Sequence, residues 1–248
     1  MSYRDEVGNL FNQGQFEAAA ALAQTALAEH PKDIRLADLL HRAKKKMRAS
    51  NLQFSNEWFP TWQHIWVDAF ERLGWDRMKT HQVIEIGAFE GQCTSWLTDV
   101  LLGDNNSRVV VIDPFTGSME HVAEQKDGLF DRFNNNLRQV GQPQRLVIKR
   151  QFSSAALPEL YCQKAQADFI YVDGSHTAKD VLADAVQAWP LLVKGGIMIF
   201  DDYQWQNFYP DNPALNPKMG IDAFVACYFS EIKLIPWGQS YQLFIIKR

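Results

Sequence analysis

Along this chain helical spacing of hydrophobic positions gives way, from Gln82 on, to an alternation of strand and helix patterns. Residues 1–49 show helical spacing and no strand-like run. There VGNLFNQGQFEAAAALAQTALAEHP sets a turn at Gly14 ahead of an alanine-rich helix that stops before Pro31, and Lys32 to Arg48 supply a further helix. Between 50 and 80, Trp62, Trp66 and Phe70 recur at the spacing of an amphipathic helix with its aromatic stripe in the core. Trp58 and Phe59 come just before that stripe and are candidates for a pocket mouth. From Gln82 onward strand and helix patterns alternate: QVIEIG, then a helix over GQCTSWLTDVLL; RVVVID, then a helix over DGLFDRFNNNL; RLVIKR, then SAALPEL; DFIYVD, then TAKDVLADAVQAWPLL; and finally GGIMIFDD. A helix near Ile221–Tyr228, a strand EIKLIPW, a turn at Gly238 and a last strand YQLFIIKR complete the chain.

The Val/Ile runs lack clean alternation, as expected of strands covered by helices on both faces. The last two strands have no helix between them and should form an antiparallel hairpin at a sheet edge. The expected fold class is therefore α/β: a Rossmann-like doubly wound sheet closed by an antiparallel C-terminal hairpin and preceded by a small α-helical arm. The expected division is a helical arm over 1–49 and an α/β domain over 50–248. A single helical unit cannot bury its own apolar face, so the arm should pack on that domain or on another subunit.

Composition narrows the function classes. With 46% hydrophobic residues in 248 there is material for a sizeable core, and a net charge of −4 does not favour a polyanion binder. The basic cluster Lys44, Lys45, Lys46 and Arg48 closes a helical pattern, where cations complement the helix dipole, so nucleic acid is not an expected partner. Cys93, Cys162 and Cys227 are scattered and have no paired spacing, which argues against a disulfide framework or a cysteine zinc site. The opening MSYRDEVGNL has no apolar core of a leader, and no run approaches the roughly 18 apolar residues that span a bilayer. A cytoplasmic protein with no membrane partner is the expectation.

Candidate chemistry concentrates where strands end. In an open parallel sheet ligands bind beyond the carboxyl ends of the strands. DFIYVD delivers Asp173 there, and GGIMIFDD delivers Asp201 and Asp202. If those strands are neighbours, three carboxylates converge, and a hard divalent cation such as Mg²⁺ relieves their repulsion. His176 follows Asp173 by a short turn and is the candidate general base. The plainer alternatives are turn caps for Asp201 or Asp202 and a helix cap for His176. Asp180 and Asp184, four apart on the next helix, read as a solvated face. Tyr203, Trp205, Phe208 and Tyr209 form an aromatic loop that would line a pocket or meet another subunit.

The turn IEIGAFEG has glycines spaced G-x-x-x-G and lacks the third glycine of a dinucleotide fingerprint. Asp113 ends the next strand, where a carboxylate can accept both ribose hydroxyls of an adenosine ligand; turn chemistry at Asp113-Pro114 is the alternative.

Together IEIGAFEG, IDPF, DFIYVDGSH and GGIMIFDDY resemble class I S-adenosylmethionine-dependent methyltransferases of the metal-dependent O-methyltransferase type. The likeness is nearer to the macrocin and mycinamicin sugar O-methyltransferases than to the catechol type, and it covers roughly residues 80–248. The order Gly14, Phe16, Ala19, Ala26, Pro31 separately resembles one tetratricopeptide repeat, with an ordinary helical hairpin as the alternative.

The methyltransferase resemblance implies that Gly87 and Gly91 flank the methionine moiety, Glu85 supports the turn, Phe89 lies near the cofactor and Asp113 binds the ribose. It also implies that Phe152 and Ser153 sit beside the adenine, with Asp173 shared between cofactor and metal. Asp173, Asp201 and Asp202 would hold Mg²⁺, and His176 would deprotonate the acceptor. Histidine here and the Asp-Asp pair follow the sugar enzymes; catechol-type members have lysine and Asp-Asn. The expected activity is methyl transfer from S-adenosylmethionine to a small-molecule hydroxyl. A non-catalytic scaffold that uses the arm to bind a protein partner or a second copy of the chain, and a nicotinamide-dependent oxidoreductase, are the competing expectations.

Overall fold

The computed structural model describes residues 2–118, 121–205, 210–236 and 241–248. They gather into two compact units. One comprises Met1–His81, Phe89–Arg108 and Asp127–Leu146; the other comprises Gln82–Ala88, Val109–Lys126 and Val147–Arg248.

The first unit is helical. Helix α1 (Tyr3–Asn12) opens on a capping box between Ser2 and Asp5, α2 spans Phe16–Glu29, and α3 (Ile34–Met47) is capped by Asp33, whose carboxylate accepts from Leu36 N at 2.9 Å. Ala19, Ala23 and Ala26 are fully buried, and their small side chains let the helices approach over a core completed by Val7, Leu36, Leu39, Leu40 and Ala43. Helix α4 (Trp58–Arg72) buries Trp66 and Phe70, and Trp66 meets Trp96 edge-on with ring centroids 5.7 Å apart. Trp96 ends α5 (Gln92–Trp96), which runs into a π-helical turn over Leu97–Leu101.

Helix α3 carries polar groups inward with partners waiting for them. Asp38 accepts from Trp96 Nε1 at 2.8 Å and from Gln63, while His41 Nδ1 lies 3.1 Å from Asp99 Oδ2. Thus α3 covers its inner face with residues 96–99, as a helical unit without stacked repeats must. The basic residues at its end are engaged locally: Lys44 faces Asp99, Lys45 faces Glu57, and Arg48 donates to the Gln139 carbonyl.

The second unit is built on the sheet. Its strands are β1 (Gln82–Ile86), β2 (Arg108–Ile112), β3 (Leu146–Lys149), β4 (Ala167–Val172), β5 (Leu192–Phe200), β6 (Ile232–Leu234) and β7 (Leu243–Lys247). The order is β3-β2-β1-β4-β5-β7-β6 in one seven-stranded sheet. Strand β4 runs parallel to β1 and to β5, whereas β7 runs antiparallel to β5 and β6. The order reverses between β1 and β4, and such a reversal opens a crevice at the carboxyl ends of those strands.

Helices α6 (Ala123–Lys126), α7 (Leu129–Gln139), α8 (Ser153–Cys162), α9 (Ala178–Ala188) and α10 (Pro217–Cys227) complete the element order. Ile84, Ile86, Ile170, Val172, Met198 and Phe200 form one core with Leu157 of α8, Val181 and Ala185 of α9, and Phe224 of α10. Intervening positions such as Val83, Phe169 and Ile199 are buried as well, which explains the missing alternation. The C-terminal hairpin pairs as expected, while its turn at Gly238 lies outside the described residues.

Candidate active site

Four strand ends, those of β2, β1, β4 and β5, converge through three backbone bonds. Gly87 N donates to Ile112 O at 2.9 Å, Asp173 N to Ile86 O at 2.8 Å, and Asp201 N to Val172 O at 3.0 Å. Gly87 has a φ of +83°, and a Cβ there would fall 1.9 Å from the carbonyl oxygen of Asp173. Only glycine fits that position. Asp113 bridges this turn: Oδ2 accepts from Ala88 N at 2.8 Å and Oδ1 from Phe115 N at 2.6 Å. The turn chemistry weighed for Asp113 therefore exists. Glu85 is fully buried at the end of β1. Phe152, extended at the start of α8, is 64% exposed, with Ser153 next to it as the first helical residue.

The rest of the glycine turn belongs to the helical unit. Phe89 adopts a left-handed φ of 46°, and its ring lies 5.6 Å from that of Trp58. Of the two candidates for a pocket mouth, Trp58 is 53% exposed and Phe59 is buried. Glu90 is buried and held by Arg132 at 2.9 Å and by Ser55 N at 2.6 Å. Gly91 caps α5 with a φ of +82°, and a Cβ there would meet Leu137 Cδ2 at 2.3 Å.

The acidic groups gather differently from the sequence expectation. Asp173, His176 and Asp202 each bring one ligand atom within 4.8 Å of the others. His176 Nε2 lies 2.7 Å from Asp202 Oδ2. Asp201 stands outside this group. Its carboxylate accepts from Tyr171 Oη at 2.6 Å, from Gln242 Nε2 at 2.9 Å and from Asp202 N at 2.9 Å. The sequence expectation names Asp201 as a ligand beside Asp173 and Asp202; in the structure His176 joins Asp173 and Asp202, and Asp201 is hydrogen-bonded to Tyr171 and Gln242.

Burial and crowding shape the charges here. Asp173 is raised well above the usual carboxylate range by burial first, then by the charges of Asp201 and Asp202. Burial, then Asp202, pushes Asp201 up to about 6, against the opposing hydrogen bonds from Tyr171 and Gln242. Two carboxylates and an imidazole in this arrangement suit a divalent cation, whose charge offsets that repulsion. Trp205 places its ring 4.7 Å from that of His176, while Phe208 and Tyr209 lie outside the described residues. Tyr203 donates to Asp222 at 2.8 Å and accepts from Lys218 at 3.0 Å; Lys218 and Asp222 also line a hollow of about 290 Å³ with Pro210, Pro213, Asn216 and Met219.

Asp184 does not lie on the exposed side of α9, where Lys179, Ala183 and Val186 do. Asp184 is 4% exposed, with its carboxyl facing Ser153 and raised to about 6, chiefly by burial. Asp180 accepts from Ser175 and Thr177 beside His176. Tyr171 and Gln242 were not singled out from the sequence. A signal existed for Gln242: pairing Phe200 with Leu243 in an antiparallel register sets Gln242 opposite Asp201.

Against known proteins, a family model described as a methyltransferase domain matches residues 84–203. The sheet has the Rossmann-like α/β fold of class I methyltransferases. A curated relative, the uncharacterized protein R132 of Acanthamoeba polyphaga mimivirus, is 27% identical over 137 residues, 54% of this chain and 57% of that protein, so the chain spans less than two thirds of its length. Among solved structures, the O-methyltransferase from Bacillus cereus in complex with SAH aligns over 87% of this chain and 96% of its own at 19% identity and a TM-score of 0.51. The methyltransferase MycE of the mycinamycin biosynthetic pathway, solved with Mg, SAH and mycinamycin VI, aligns over 87% of this chain and 54% of its own at 12% identity and a TM-score of 0.51. At such identities the likeness is one of fold. Among the described residues, no helix is long and apolar enough to cross a membrane.

Proposed function

We propose that this chain is an S-adenosylmethionine-dependent O-methyltransferase that alkylates a hydroxyl on a small, sugar-like acceptor with a divalent cation held by Asp173 and Asp202. The observation that carries the reading is the cluster of Asp173, His176 and Asp202 beyond the ends of β4 and β5, with the Gly87 backbone pressed against Asp173. A donor seated on the Gly87 turn would therefore lie beside the acids.

Each residue has a task in this reading. Gly87 lets the donor approach the backbone closely, and Asp113, which holds the turn, would accept the ribose hydroxyls. Exposed Phe152 offers a ring face to adenine, with Ser153 at the helix start. A cation at the acids would lower the pKa of an acceptor hydroxyl and fix its direction. His176 would take the acceptor's proton, and Asp202, 2.7 Å from Nε2, opposes the positive charge the ring acquires. Trp205 lies beside the imidazole, its ring 4.7 Å away, and would pack against it. The methyl group leaves the sulfonium as the acceptor oxygen attacks, and S-adenosylhomocysteine departs. MycE, solved with Mg, SAH and mycinamycin VI, motivates the cation; the sugar-like acceptor rests on the likeness of His176 and the Asp201-Asp202 pair to the sugar enzymes.

The test is a titration of the purified chain with S-adenosylhomocysteine, followed by methyl transfer from labelled S-adenosylmethionine to a panel of hydroxylated sugars, glycosides and catechols, with and without EDTA. Binding at micromolar affinity and EDTA-sensitive transfer to an aliphatic hydroxyl are expected. No binding of either nucleoside would sink the reading, and EDTA-insensitive transfer would remove the cation from it.

A further inference from the structure

The turn that carries His176 is tied on both sides to one carboxylate. Ser175 Oγ donates to Asp180 Oδ2 at 3.0 Å, and Thr177 Oγ1 donates to the same oxygen at 2.6 Å. Thr177 N donates to Ser175 Oγ at 3.3 Å, so the residues flanking His176 are also joined to each other. This is not how a helix start is ordinarily satisfied. A threonine at the N-cap normally accepts from a backbone N–H of the first turn. Thr177 is the N-cap of α9 and makes no such bond; its hydroxyl is turned to Asp180 instead. The arrangement forgoes a helix cap and gains a closed loop around the histidine.

The anchor is itself confined. Helix α9 starts at Ala178, and Gly220 of α10 approaches it so closely that a Cβ there would lie 2.1 Å from Ala178 O. The other end of the turn is equally tight: a Cβ on Gly174 would meet Ile86 Cγ2 at 3.0 Å and Asp184 Oδ2 at 3.3 Å. With both ends fixed, the direction of the His176 side chain depends on the backbone between them, and Asp180 sets that backbone.

We infer that Asp180 is a positioning residue for His176, holding the imidazole at Asp202 through the hydroxyls of Ser175 and Thr177. The inference rests on the reading of His176 as the proton acceptor for its kinetic consequence, but not for its structural one. Without Asp180 both hydroxyls lose their shared acceptor and the turn relaxes. Misplacement of a reacting group by about 1 Å costs on the order of 100-fold in rate.

The experiment uses the full chain with Asp180→Ala, Asp180→Asn, the double variant Ser175→Ala/Thr177→Val, and the triple variant joining that double to Asp180→Ala. His176→Ala runs in parallel. Crystal structures of each read the distance from His176 Nε2 to Asp202 Oδ2, calorimetry reads S-adenosylhomocysteine affinity, and turnover is read on the best acceptor of the panel. In Asp180→Ala the contact should open beyond hydrogen-bond range and kcat should fall about 10- to 100-fold, with KM for S-adenosylmethionine and nucleoside affinity within about twofold. Asp180→Asn keeps an accepting oxygen and should restore most of the rate. The triple variant should be no slower than the double, because all three side chains act as one unit.

An Asp180→Ala structure that keeps the contact closed overturns the inference, as do additive losses in the triple variant. Should Asp180→Ala fail to fold, Asp180→Asn and the double variant carry the same measurements. Full turnover in His176→Ala would overturn the base and leave the structural arm to decide Asp180.

Discussion

His176 and Asp202 meet at 2.7 Å, Nε2 to Oδ2, although one follows β4 and the other follows β5. The parallel pairing of those strands, Val172 with Phe200, brings the two turns side by side. Substituting His176→Ala should lower kcat by about 10²- to 10⁴-fold, the usual worth of a positioned acid–base group. Affinity for S-adenosylhomocysteine should stay within about twofold, since Gly87, Asp113 and Phe152 are untouched. Steady-state kinetics and calorimetry on one preparation check both halves, and a parallel loss of binding and turnover would point to a collapsed site.

The hydrogen bonds to Asp201 have their own consequence. Asp201 is held by Tyr171 and Gln242, so it should serve the site by supporting its neighbours rather than by holding the cation. Titration with Mn²⁺, followed by electron paramagnetic resonance, should show Asp173→Asn and Asp202→Asn weakening binding by tenfold or more, on the order of 1.4 kcal/mol. Asp201→Asn should cost less than either. Tyr171→Phe should instead lower stability by about 1 to 3 kcal/mol, because it leaves a buried carboxylate short of a donor. A larger loss of Mn²⁺ affinity from Asp201→Asn than from Asp202→Asn would restore the set expected from sequence.

What could be read in the residues was set by backbone periodicity. Strands β1 to β5 and the terminal hairpin show themselves because Val/Ile runs and turn residues are local signals, and Gly87 and Asp113 follow from where those strands stop. Three things were illegible for one shared reason. The exclusion of Asp201, the role of Tyr171 and the burial of Asp184 each depend on where a side chain finds its partner across elements. Asp180 and Asp184 share a helix face at four-residue spacing, which by itself describes a solvated stripe as well as an inward one. Gly174 and Ser153 decide between them, and neither is near in sequence to Asp184.

Asp184 makes stability depend on pH in a stated direction. Its folded pKa, about 6 against a reference of 3.8, lies above the unfolded value, so between those limits the native state binds more protons than the unfolded one. Stability is therefore lost from this group as pH rises from about 4 through 6, and the ionised carboxylate costs on the order of 3 kcal/mol at pH 7.5. Asp184→Asn keeps an acceptor for Ser153 without the charge. Urea unfolding should find it more stable than the parent at pH 7.5, with the difference shrinking toward zero near pH 4. A difference that does not change with pH would mean the carboxyl is not perturbed in the folded state.

Two glycines separate backbone conformation from close approach. Gly87 and Gly195 both have left-handed backbones, with φ of +83° and +77°. A Cβ on Gly195 meets nothing within 4 Å, whereas one on Gly87 would lie 1.9 Å from Asp173 O and 2.5 Å from Asp173 C. Alanine at 195 should cost only the conformational strain, about 1 to 2 kcal/mol. Alanine at 87 carries the same strain and must also part the ends of β1 and β4, whose ladder places Asp173 N at 2.8 Å from Ile86 O. A loss beyond about 3 kcal/mol is expected there, since it adds backbone overlap to the left-handed penalty. S-adenosylhomocysteine affinity should fall with it, while Gly195→Ala should bind as the parent does. If the two substitutions cost the same in chemical unfolding and leave nucleoside binding alike, the glycine at 87 answers to its dihedral angle alone, and the close contact between the donor turn and Asp173 has no role in forming the site.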